Sequence, residues 1–165
     1  MTLIKDGFLS DEELATLPGV PSLERMLQGP VAVIECAQEI PCNPCVTICT
    51  KFAISIPGSL TGLPKIHEGL CIGCALCIPI CPGQAIFVVD GSYSETEATV
   101  KVPYEYLPLP QVGEIVSAVG RDGQHRCDAK VLQVVNNKRV DHTPIVSLLV
   151  PKELMMVVRS LRLKR

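Results

Sequence analysis

The chain has 165 residues, nine of them cysteine, and a formal net charge of −2. That length allows one ordinary domain or two small ones, and a cysteine count this high points to either a disulfide scaffold or a metal site. Disulfides fare poorly: the count is odd, the cysteines stand two or three residues apart, and Met1 to Ser10 (MTLIKDGFLS) has no signal-peptide pattern. No uncharged apolar run approaches the length that spans a bilayer, so the expectation is a soluble, cytoplasmic protein with no membrane span.

Residues 1–30 read as an N-terminal helical arm. Ser10-Asp11-Glu12-Glu13 is a capping box, in which the Ser10 hydroxyl accepts a backbone N–H and Glu13 reaches back to the N–H of Ser10. That helix is expected to end near Pro18-Gly19. A second short helix follows Pro21-Ser22 through Leu23, Met26 and Leu27, until Gly29-Pro30 breaks it. The arm is acidic, with Asp6, Asp11, Glu12, Glu13 and Glu24 against only Lys5 and Arg25.

Residues 31–92 repeat themselves. A shift of 32 residues lays Cys42 on Cys74, Cys45 on Cys77 and Cys49 on Cys81, and also Ile48 on Ile80, Ala53 on Ala85 and Ile54 on Ile86. An internal repeat that contains the cysteines predicts two halves related by a pseudo-twofold axis. Each half is expected to have a strand before its cysteines (Val31–Glu35, Lys65–Glu68), a helical turn after the third, and a strand beyond (Ala53–Ile56, Ile86–Asp90). Between Pro41 and Cys81 only Lys51, Lys65 and Glu68 are charged, and so bare a surface is the kind that meets another protein.

Residues 93–165 read as a small β-barrel with a closing helix. Thr99–Val102, Glu114–Val119, Ala129–Val135 and Pro144–Val150 are the predicted strands, with turns at Arg121-Asp122-Gly123-Gln124 and Asn136-Asn137. Pro151 stands where it would open a C-terminal helix. The last stretch carries Lys152, Arg159, Arg162, Lys164 and Arg165 against Glu153, which reads as a solvated helix face or a docking contact. No recognition motif accompanies these basic residues, so no nucleic-acid partner is expected.

Cys71-Ile-Gly-Cys74-Ala-Leu-Cys77-Ile-Pro-Ile-Cys81-Pro82 is the full C-x2-C-x2-C-x3-C-P run of bacterial ferredoxins. Three thiolates at three-residue intervals wrap a loop around three irons of a cube. The fourth begins the next element and points to the other half's cube. Gly73 lets the backbone approach closely, so that amides can hydrogen-bond to the sulfurs. The first half reads Cys36-x5-Cys42-x2-Cys45-x3-Cys49, with its first cysteine moved upstream by three residues and Thr50 in place of the proline. Neither change removes a ligand. The expected sets are Cys36, Cys42, Cys45 and Cys81 for cluster one, and Cys71, Cys74, Cys77 and Cys49 for cluster two. Both are read as [4Fe-4S], and no catalytic residue is expected.

Zinc is the plain alternative, but zinc ribbons use two separated cysteine pairs, and three cysteines in close succession would crowd one tetrahedral ion. Cys127 has no cysteine neighbour and reads as a small buried hydrophobe. His67, His125 and His142 are dispersed; His67 reads as a surface residue in preference to a tuner of the Cys71 cluster.

The paired cysteine runs thus resemble the two-cluster ferredoxin domain, an α+β fold. Three further strings are similar to the small iron–sulfur subunits of multi-subunit flavin dehydrogenases: Gly7-Phe8-Leu9-Ser10, Gly29-Pro-Val-Ala-Val-Ile-Glu-Cys36-Ala-Gln-Glu-Ile-Pro-Cys42-Asn-Pro-Cys45, and Val150-Pro-Lys-Glu-Leu154. That resemblance covers nearly the whole chain, although Thr50 departs from the usual Cys-Pro. It implies flavoprotein partners of the amino-acid or opine oxidase and glycerol-3-phosphate dehydrogenase types, often with an NAD(P)- or FAD-binding subunit. It also places FAD or FMN in those partners and not in this chain. The expected function is electron transfer between flavins. A freely diffusing ferredoxin would carry a more acidic face for steering, and a purely structural iron–sulfur module would not need eight ligands for two neighbouring cubes.

Overall fold

A computed structural model describes residues 2–138, 140 and 142–164. Met1 of the arm and Arg165 of the basic tail lie outside the described residues. The arm holds three one-turn helices, α1 (Thr2–Asp6), α2 (Asp11–Ala15) and α3 (Leu23–Leu27). The capping box on α2 forms in full: Glu13 N–H donates to Ser10 Oγ at 3.2 Å, and Ser10 N–H donates to Glu13 Oε2 at 3.0 Å. That helix stops at Ala15, earlier than the proline suggested, and α1 had no sequence signal.

Among the described residues nine strands follow: β1 (Val31–Ile34), β2 (Ile54–Ser55), β3 (Lys65–Ile66), β4 (Ile86–Asp90), β5 (Glu97–Pro103), β6 (Ile115–Gly120), β7 (His125–Val135), β8 (Ile145–Pro151) and β9 (Val158–Arg162). The helix α4 (Pro44–Ile48) sits in the first cysteine run. Among the described residues no helix is long and apolar enough to cross a membrane.

The repeat becomes two crossed antiparallel pairs. The strand before the first cysteines pairs with the strand after the second, β1 with β4 in the register Val31↔Val89, and β2 pairs with β3 in the register Ile54↔Ile66. The exchange extends past the strand ends: Glu35 N–H donates to Ala85 O at 2.8 Å and His67 N–H to Ala53 O at 2.7 Å, a pair of bonds related by the 32-residue shift with the halves swapped. The arm straps both halves, since Ile34 N–H donates to Gly19 O and Ile66 N–H to Pro18 O.

One continuous sheet joins the cysteine region to the C-terminal strands, in the order β1-β4-β5-β8-β7-β6-β9. The expected boundary near residue 92 falls in the turn between β4 and β5, which are themselves paired. β1 and β4 form a wall between two cores. Val31, Val33, Phe87 and Val89 face the β5–β9 core, while Ala32, Ile34, Ile86 and Val88 face the cysteines. Burial on both faces explains why these strands read as unbroken apolar runs without alternation.

Two expectations fail in the C-terminal part. Among the described residues no pairing closes the sheet into a barrel; β1 and β9 are its outer strands. Among the described residues the closing helix is absent as well. Pro151 leads into a single 3-10 turn, Lys152–Leu154, and the chain then runs as β9 beside β6, with Leu161 opposite Ala118. The physical reason is the otherwise unpaired edge of β6, whose backbone groups need partners. Pairing also buries Val158 and Leu161, two residues that a solvated helix would not need. Arg159 is accordingly 5% exposed and not part of a solvated face, whereas Lys164 pairs with Asp128 at the surface.

Candidate metal centre

The two cysteine runs adopt the same local backbone. In the first, Val46 N–H donates to Asn43 O, Cys49 N–H to Val46 O and Phe52 N–H to Cys49 O. In the second the shifted set recurs, with Ile78 to Ala75, Cys81 to Ile78 and Gln84 to Cys81. Phe52 and Gln84, again shift-related, both lie in the left-handed region, at φ 54° and 49°. Each fourth cysteine therefore starts a tight turn, and its sulfur accepts a backbone amide from the turn's far side: Ala53 N–H to Cys49 Sγ at 3.3 Å, Ala85 N–H to Cys81 Sγ at 3.5 Å. Ala32 N–H from β1 adds a third such bond, to Cys71 Sγ at 3.4 Å.

Electrostatic neighbourhoods sort the eight cysteines into two groups. Burial pushes the Cys45 thiol up to about 11, and nearby Cys81, Cys42 and Cys36 add to the shift. Cys36 is raised by burial and by Cys81 and Cys42. Burial pushes Cys77 up to about 12, with Cys71, Cys74 and Cys49 adding to it. Cys81, the last cysteine of the second run, thus sits with the first-run trio, and Cys49 sits with the second-run trio. Cys49, Cys71, Cys74 and Cys77 line one cavity, walled by Ala32, Ala53 and Ile54.

Thiols held this high stay protonated at neutral pH until a metal displaces the proton. Among the described residues no group of three or more His, Cys, Asp or Glu is placed to hold a single metal ion. The donor set suits a multi-iron group, in which each thiolate meets a different iron and backbone amides offset the sulfur charge. The residues present fit a [4Fe-4S] cluster.

Gly73 is required where it stands. Its φ is +63°, and a Cβ there would lie 2.5 Å from Pro30 Cβ and 2.8 Å from Pro30 O. Gly73→Ala should therefore cost about 2–4 kcal/mol, combining left-handed strain with overpacking. We expect iron loss from the 64–87 segment, as measured by metal analysis and electron paramagnetic resonance.

Other residues fall elsewhere. His67 is exposed just beyond β3, and its Nε2 meets Ser55 Oγ of β2 at 2.8 Å. His125 Nδ1 meets Ser117 Oγ, and Cys127 is half-buried in β7 against the β-sheet core. Sequence reasoning missed Glu35, which joins Arg121 and Arg159. Arg121 donates to both its carboxylate oxygens at 2.8 and 2.5 Å, and Arg159 Nε donates to Oε1 at 2.7 Å. A carboxylate closing a wholly buried apolar strand was the available signal, because such a charge needs partners. Arg25, on α3, was also missed.

The 4Fe-4S binding domain family matches residues 64–87. Over 67 residues, 37% of this chain and 11% of the relative, the chain is 33% identical to Protein Pixie of Drosophila melanogaster. It is 42% identical over 45 residues to the Protein NrfC homolog of Haemophilus influenzae, covering 27% of this chain and 20% of that protein. Against ABC transporter E family member 1 of Arabidopsis thaliana the identity is 30% over 95 residues, 54% of this chain and 16% of the relative. The chain thus spans no more than a fifth of the length of these curated relatives. No solved structure matches it significantly. The family match marks residues 64–87 as a [4Fe-4S] binding segment, and that segment holds Cys71, Cys74, Cys77 and Cys81.

Proposed function

We propose that the chain holds two [4Fe-4S] clusters and serves as the electron-transfer subunit of a cytoplasmic, multi-subunit flavin-dependent dehydrogenase. Cys36, Cys42, Cys45 and Cys81 hold the first cluster, and Cys71, Cys74, Cys77 and Cys49 hold the second. FAD or FMN resides in partner subunits, one of which binds the substrate and another NAD(P) or FAD. The observation that carries the reading is the exchange of the fourth cysteine between halves, because it brings the two groups of thiols side by side in one small module.

When bound, each cluster supplies a one-electron acceptor whose potential, anywhere from roughly −700 to +450 mV, is set by its surroundings. The chain's contribution is its eight sulfurs, the amides of Ala32, Ala53 and Ala85 on three of them, and the apolar wall of Ile34, Ile54, Ile78 and Ile86 that excludes water. A partner's place is supported by the rim around Cys74, which is exposed. Phe52 is 81% exposed, Ile72 55% and Leu70 53%, the nearest charges in sequence being Lys51 beside Phe52 and Glu68 before Leu70. A ring left in water at that level, on a surface so bare of charge, is suited to burial against another protein.

Anaerobic purification of the tagged chain from its native cell tests the proposal. The expected result is about eight irons per chain with a flavoprotein retained, and a Phe52→Asp variant that keeps its iron and loses at least tenfold in affinity for that flavoprotein. A holo-monomer that purifies without a flavoprotein, and exchanges electrons with many unrelated reductases, would replace this reading with the freely diffusing ferredoxin.

A further inference from the structure

The arm contributes a cation to the cysteine region. Ser22 caps α3, its Oγ accepting Arg25 N–H at 3.2 Å, and Ser22 itself is pinned by the Glu68 carboxylate through N–H to Oε2 at 2.7 Å and Oγ to Oε1 at 3.0 Å. This seats the Arg25 guanidinium among four backbone carbonyls. Nε donates to Glu68 O at 2.9 Å, Nη1 to Gly29 O at 2.9 Å, and Nη2 to Pro30 O at 3.1 Å and Cys71 O at 2.6 Å. Among the described residues no carboxylate lies in ion-pair contact with Arg25, the nearby Glu68 carboxylate being turned to Ser22. Carbonyl oxygens orient the guanidinium without cancelling its charge.

We propose that Arg25 is a positioning residue that raises the reduction potential of the cluster held by Cys71, Cys74, Cys77 and Cys49, an inference that rests on the two-cluster reading above. Adding an electron to a cluster adds negative charge. A cation locked to the main chain of one ligand stabilises the reduced form more than the oxidised one, and a half-buried site screens it less than water does. Four bonds to one fork also hold Gly29-Pro30 against the Cys71 loop, so the same residue fixes the contact that makes Gly73 obligatory. An arginine serves here because its planar fork meets several acceptors at once.

The test is a redox titration of the full chain, purified anaerobically, with each cluster followed by electron paramagnetic resonance. Arg25→Gln is expected to shift the one-electron equilibrium of the second cluster about tenfold towards oxidised, close to 59 mV lower, with the first cluster unmoved. Arg25→Lys, which keeps the charge and loses the fork, is expected to hold the potential within threefold of the wild type while lowering the melting temperature. Gln28→Glu, an exposed change at the C-cap of α3 whose amide donates to Glu24 Oε1 at 3.4 Å, leaves the four carbonyl bonds of Arg25 intact and adds a negative charge one helical turn from it; it is expected to move the same potential two- to threefold in the same direction. A second-cluster potential unchanged in both Arg25→Gln and Gln28→Glu overturns the inference, as does an equal shift in Arg25→Gln and Arg25→Lys. A wild-type chain with fewer than two clusters overturns the functional reading instead, so the two failures are distinguishable.

Discussion

On the two-cluster proposal, Cys74→Ser is expected to remove about half of the iron and leave the β-sheet folded. Cys74 is exposed and packs in neither core, so its replacement deletes a sulfur at almost no cost in burial. A serine hydroxyl is a poor substitute for a thiolate toward iron, and a cube lacking one of four protein ligands is labile. Cys45→Ser should mirror the effect on the first cluster. Iron and labile sulfide assays, with the two resonance signals read separately, should show about four irons and one surviving signal in each variant. Far-ultraviolet circular dichroism should be nearly unchanged, because the β5–β9 core is built from residues such as Val100, Val116, Leu148 and Val158 that do not depend on the thiols. Full iron content in both variants would refute the ligand sets.

Removing the carboxylate of Glu35 should have the largest effect on stability. The side chains of Glu35, Arg121 and Arg159 are only 7%, 11% and 4% exposed. Two guanidiniums share one carboxylate, and further donors reach main-chain oxygens and a thioether: Arg121 Nη2 to Met156 O at 2.6 Å, Arg159 Nη1 to Met155 O at 2.9 Å and Val158 O at 2.6 Å, and Arg159 Nη2 to Met156 Sδ at 3.3 Å. Arg159 also stacks over the Phe87 ring at 5.0 Å from its centre. Glu35→Ala leaves two buried cations facing each other. Breaking a buried pair costs about 3–5 kcal/mol, which for a chain of this size lowers the melting temperature by about 6–20 °C. Thermal unfolding of the anaerobic protein measures this, and a shift under about 2 °C would show that the triad contributes little. The pH dependence has a definite sign. Burial opposes ionisation of Glu35, but the hydrogen bonds and charges of Arg121 and Arg159 outweigh it and hold the carboxyl below its usual range. The contribution is complete above the ordinary carboxylate range and fades as pH falls through the depressed folded value.

The triad also ties the end of β1, next to Cys36, to the β6–β7 turn and to β9. Mechanical continuity between the cysteine region and the C-terminal strands thus has two sources, the shared sheet and one buried ionic knot. A module that must keep two cysteine groups in fixed relation gains from both.

Local chemistry was legible in the residues. The capping box at Ser10 and Glu13, the cap at Ser22, the cysteine spacings and the 32-residue repeat are all short-range patterns, decided by backbone reach and hydrogen bonding within a turn or two. Strands β4 to β8 were readable for the same reason, from β-branched runs between turn residues. What the chain could not announce locally is long-range. Arg159 meets Glu35 across 124 positions, and Arg25 meets Cys71 across 46, with no periodicity to mark either. The final stretch shows the competition directly: Pro151 favours a helical start, yet Val158 and Leu161 become strand because β6 offers an unpaired edge and a core to fill. Sequence alone thus set the spacing of the cysteines and the turns that carry them, since those depend on neighbours in the chain. Only the tertiary structure chose which charges are buried together and how the sheet ends, because those depend on surfaces that meet after the chain has folded.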